Sequence, residues 1–61
     1  MKDYMVVFMF KGLDFHERTR VYGVNSREEA IQVVKNHYGS AAITIISARV
    51  IKRDDNGLEV W

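Results

Sequence analysis

The chain has 61 residues, 48% of them hydrophobic, and no cysteine. So short a chain is a single domain that buries only about 60% of its unfolded surface. It lacks a disulfide staple, a thiolate zinc site and a thiol nucleophile. Nine basic residues against eight acidic ones leave a formal charge of +1, which supplies no electrostatic drive towards nucleic acid or anionic lipid as an obligatory partner.

Tyr4-Met5-Val6-Val7-Phe8-Met9-Phe10 is apolar at every position and rich in β-branched and aromatic residues, which predicts a strand rather than a helix of so few residues. The run is far too short to span a bilayer. Lys2 and Asp3 precede it and no small-residue cleavage site follows, so no secretory leader is expected and the reading is of a cytoplasmic domain. Lys11-Gly12-Leu13-Asp14 contains the glycine of a tight connection. Phe15 to Val24 predicts a second strand, with Glu17, Thr19 and Val21 on one face and His16, Arg18, Arg20 and Tyr22 on the other.

Ser26 stands as the helix N-cap and Glu29, three residues on, completes a capping box, with Asn25 and Glu28 as the alternative register. From Arg27 to Tyr38, apolar residues fall at Ala30, Ile31, Val33, Val34 and Tyr38, on one side of a helical cylinder. Gly39 then closes the helix, because it takes a positive φ without penalty. Ala41 to Arg53 predicts a third strand, with Ile46, Ala48 and Val50 on one face and Ile45, Ser47, Arg49 and Ile51 on the other. Ile43, Ile45 and Ile46 break strict alternation, as a bulge or the entry into the strand does. Asn56-Gly57 predicts a type I′ turn, after which Leu58 to Trp61 folds back as a short fourth strand.

The expected fold is α+β over residues 1–61: an antiparallel sheet of three to four strands, order 2-1-3-4, with one helix on one face. A right-handed connection from the second strand through the helix passes over the first strand and sets the third antiparallel to it. The first strand is then central, which suits its apolar character. The charges His16, Glu17, Arg18 and Arg20 suit an edge, where they oppose aggregation. One helix covers one face of the sheet. Either Met5, Val7 and Met9 or Tyr4, Val6, Phe8 and Phe10 therefore point away from it, with Tyr22 and Trp61 as the side chains available to cover them.

The chain shows no constellation for catalysis or for a cofactor. His16 and His37 are its only imidazoles and nothing supplies a third metal ligand beside them. The serines lack nucleophile-elbow spacing. In Asp54-Asp55-Asn56-Gly57 an EF-hand loop with Gly57 at its sixth position requires an acid where Lys52 stands. Gly12, Gly23, Gly39 and Gly57 are too scattered for a phosphate loop. Two functional expectations follow. The first is a non-enzymatic protein-binding module, docking on a partner or on a second copy as a homodimer. Its open sheet face or edge carries Met5, Val7, Met9, Arg18, Arg20 and Arg49. The second is a nucleic-acid-binding domain in which the arginines are joined by the aromatic residues of the first strand, in the manner of sheet-based RNA readers.

The arrangement of Val24, Ser26, Glu28, Glu29 and Ala30, with the strand after Gly39, resembles very small stand-alone ββαβ proteins over Val6 to Ile51. They include the bacteriophage T7 inhibitor of host RNA polymerase and the archaeal ribosomal proteins of the LX type. That resemblance implies a compact adaptor or inhibitor acting on a larger macromolecule. It suggests a modulator of a host protein, encoded by a phage or mobile element, and assigns no binding residues.

Overall fold

Strand β1 spans Lys2–Phe10 and β2 His16–Val24, followed by helix α1 at Arg27–Tyr38 and strand β3 at Ile43–Val50. Two short strands complete the chain, β4 at Lys52–Arg53 and β5 at Glu59–Val60. These bounds come from a computed structural model, which describes residues 1–60.

The apolar β1 is the central strand of an antiparallel sheet ordered β2-β1-β3. Its two phases separate cleanly. Tyr4, Val6 and Phe8 form one buried cluster with Val21, Val24, Ala30, Val34, Ile43 and Ala48, so they are the residues that meet the helix. Val6 is 0% exposed and Phe8 2%. At the C-terminal end of α1 the rings of Phe8, Phe10 and Tyr38 pack together, Phe8 and Tyr38 lying 4.8 Å apart between centroids. Such contacts add about 0.5–1.5 kcal/mol per pair beyond area burial. Met5, Val7 and Met9 therefore take the opposite face.

The helix begins as its sequence predicts, because its first free N–H groups find local acceptors. The Ser26 hydroxyl accepts from the Glu29 N–H at 3.1 Å. The returning Glu29 carboxylate accepts from the Asn25 N–H at 3.4 Å rather than from that of Ser26, so the capping box is displaced by one residue. Gly39 ends the helix at φ 94°, its N–H donating to the Lys35 carbonyl at 2.8 Å.

Three expectations are corrected. First, Ile46 has no partner on β1: Ser47 pairs with Val7 and Ile45 with Phe8. This bulge reverses the alternation, placing Ile45 against the helix-side core and leaving Ile46 exposed.

Second, the fourth strand does not join the sheet in the order 2-1-3-4. The third strand ends at Val50, and β4 and β5 form a separate two-stranded sheet. The reason lies in reach. Tyr4 pairs with Val50, and the Ile51 N–H still donates to the Asp3 carbonyl, so hydrogen bonding of this segment to β1 is seen to within one residue of the β1 start at Lys2. A tight turn from there returns only to Lys52 and Arg53. Trp61 lies outside the described residues, and with it the end of the expected strand and the expected tail cover.

Third, the turn is not type I′. Gly57 alone takes a positive φ, of 80°, and Asn56 does not. The Gly57 N–H donates to the Asp54 carbonyl and the Asp54 N–H to the Leu58 carbonyl, giving the turn-plus-bulge loop of a three-residue hairpin. The Asp54 carboxylate accepts from the Asn56 and Leu58 N–H groups, which favours this geometry over the mirror-image turn.

Candidate binding face of the sheet

Opposite the helix, β1 is flanked by its neighbours in three cross-strand rows. Met9 lies between His16 and Thr44, Val7 between Arg18 and Ser47, and Met5 between Arg20 and Arg49. Directly opposed residues of antiparallel strands share a face. The register thus brings Met5, Val7, Met9, Arg18, Arg20 and Arg49 onto one side of the sheet. A cleft of about 370 Å³ opens there, with Met5 and Val7 in its lining and Arg18, Glu17, Ser47 and Arg49 around them.

The six residues differ in what they leave free. Met5 is buried at 7% exposure but lies outside the helix-side cluster. Arg20 and Arg49 flank it across the neighbouring strands. Val7 and Met9 are half-buried. Arg20 is already engaged: its Nε and Nη2 donate to the two carboxylate oxygens of Glu59 at 3.2 and 3.0 Å. That fork-to-fork geometry suits a guanidinium and a carboxylate, and the Glu59 hydrogen bonds push the arginine pKa still higher. Arg18 and Arg49 are exposed and form no ion pair among the described residues.

The terminal hairpin is tied to this end of the sheet from both strands. Glu59 on β5 holds Arg20. Arg53 on β4 holds Asp3 at 3.0 Å, and the same carboxylate accepts from the Gly23 N–H at 3.0 Å. The Gly23 hydrogen bond, then the Arg53 guanidinium, keep the Asp3 carboxyl below its ordinary value.

The aromatic residues of β1 lie elsewhere. Tyr4 and Phe8 are in the core under the helix, with Phe10 packed against it. Base stacking on this face therefore has no aromatic platform on the central strand. His16 and His37 are both exposed; His16 joins the open face, and the His37 ring stacks edge-on with Tyr38. Among the described residues no three His, Asp or Glu side chains gather as a metal site. No helix among the described residues is long and apolar enough to cross a membrane.

Two features of the surface were not singled out from the sequence. His16 and Ser47 belong to the open face, as the alternation of the second and third strands already allowed. A second groove, of about 410 Å³, separates β2 from the helix and is lined by Val21, Val33, Val34 and Tyr38 among others. Its signal was the position of Val33 at the margin of the apolar helix face, beside an edge strand. Comparison with protein families, with characterised proteins and with solved structures finds no match for this chain.

Proposed function

We propose that the protein is a non-enzymatic interaction module that docks on another protein through the open face of its sheet. The observation that carries this reading is the row Arg18–Val7–Ser47, beside half-buried Met9, on the face opposite the helix. An apolar centre with a charged rim has the anatomy of a protein contact surface. The inward-facing aromatics of β1 weigh against the nucleic-acid alternative. A face-to-face second copy sets two arginine-bearing surfaces against each other, so a different protein suits the face better than a homodimer.

The test is a photo-crosslinking residue placed at Val7, with the exposed helix position Gln32 as control. The expected result is a nuclease-resistant protein adduct from Val7 alone. Its identified partner, once purified, binds the native chain and not a folded Val7→Asp variant. Adducts of nucleic acid, adducts equal at both positions, or a sedimentation mass of twice the monomer that Val7→Asp abolishes overturn the reading.

A further inference from the structure

The open face already shows what one of its arginines takes. Glu59 seats its carboxylate on Arg20 through two parallel hydrogen bonds, at the edge of the row that contains Met5 and Arg49. Arg49 stands across Met5 from Arg20, and Arg18 one row further along, beside Val7. Both guanidiniums present the same fork to the same face, without an acidic partner among the described residues.

We propose that this face recognises an acidic, extended protein segment, whose carboxylates occupy Arg18 and Arg49 as Glu59 occupies Arg20, the methylenes of the acidic side chains crossing Val7. This rests on the docking reading above and names the chemistry of the partner. The geometry fits an extended chain. Arg18 and Arg49 lie on the strands either side of β1 and one same-face row apart, a separation of about 12 Å between backbones from strand spacing and rise. Two carboxylates at alternate positions of an extended segment are about 7 Å apart, and the arginine arms span the difference. Planar, paired donors make carboxylate recognition by arginine directional as well as charged.

The probe is a synthetic peptide alternating Glu and Leu, with its Glu→Gln counterpart, inorganic phosphate and an oligothymidylate as comparisons. Binding is followed by NMR through the arginine Nε–H signals and the Val7 and Ser47 amides of the whole chain. The expected result is a shift of Arg18, Arg49, Val7 and Ser47 with the Glu peptide. Affinity falls roughly tenfold in each of the variants Arg18→Gln and Arg49→Gln, and falls again as salt rises from about 0.05 to about 0.5 M. These exposed positions leave the fold intact, which the unchanged amide spectrum verifies. No shift at about 1 mM peptide, equal binding of the Gln peptide, or the same shifts with phosphate alone overturns the carboxylate assignment. Equal binding of the Gln peptide does so while leaving docking through Val7 standing. Oligothymidylate bound more tightly at the same residues overturns both.

Discussion

Val6 and Val7 are the same residue, adjacent on the same central strand, and differ only in which side of the sheet they face. Truncating each to alanine therefore measures the two-faced character of β1 directly, because the loss of β propensity is common to both. Val6 is 0% exposed within the helix-side cluster. Removing two buried methyl groups costs about 1.6 kcal/mol in transfer energy. The space left between sheet and helix adds to this, for a total of about 2–3 kcal/mol. Val7 is half-buried over an open cleft, so its truncation loses about half the transfer energy and creates no enclosed void, for about 1 kcal/mol or less. A chain of this length has a stability of roughly 3–9 kcal/mol, so the difference is readily measured. Urea denaturation followed by circular dichroism gives both values, with unchanged m confirming that compactness is preserved. A Val7→Ala cost equal to or above that of Val6→Ala refutes the assignment of faces, and the open binding surface with it.

Other consequences follow from single hydrogen bonds and turns. Ser26→Ala removes the acceptor of the Glu29 N–H and is expected to cost about 1 kcal/mol, lowering the melting midpoint by roughly 4–8 °C in calorimetry; no change shows that the cap is dispensable. Gly39→Ala places a side chain at φ 94°, where the nearest atom to the new Cβ is the Ala42 Cβ at an ordinary 3.9 Å. Its expected cost of about 1–3 kcal/mol is thus backbone strain without a clash, and a stability equal to or above the parent's in urea contradicts this. The Asp3 carboxyl is held below its ordinary 3.8 by the Gly23 N–H and Arg53. A carboxylate with a lowered folded-state pKa stabilises fully above the ordinary value and loses that contribution as pH falls through the folded one. Denaturation titrations from pH 5 to pH 2 are expected to show an acid-sensitive component below about 3.8 that Asp3→Asn removes; an unchanged slope contradicts the assignment. Arg20→Gln breaks an exposed pair, so global stability is expected to stay nearly constant. Amide exchange in β5 should quicken, because the short hairpin loses one of its two ionic ties; unaltered exchange shows that the tie does not hold it.

Local chemistry settled the parts of the fold that act over a few residues. Ser26 and Gly39 bracket a helix with an apolar side because capping and φ preference are properties of the residues themselves. The charges of β2 and the uninterrupted apolar run of β1 assigned edge and centre before any packing was known. The facing of β1 was decided only in three dimensions, since Tyr4, Val6 and Phe8 are as apolar a set as Met5, Val7 and Met9 and only contact with the helix distinguishes them. Ile46 was likewise ambiguous: a row of isoleucines fits either phase, and the bulge exists because both Ile45 and Ala48 must face α1. The separate hairpin is a matter of length, since hydrogen bonding to β1 is seen as far as Ile51 and the short return strand reaches back only to Lys52 and Arg53. Local preference acts through bonds and neighbours in the chain, whereas side, register and strand partner depend on surfaces that meet only after the chain has folded.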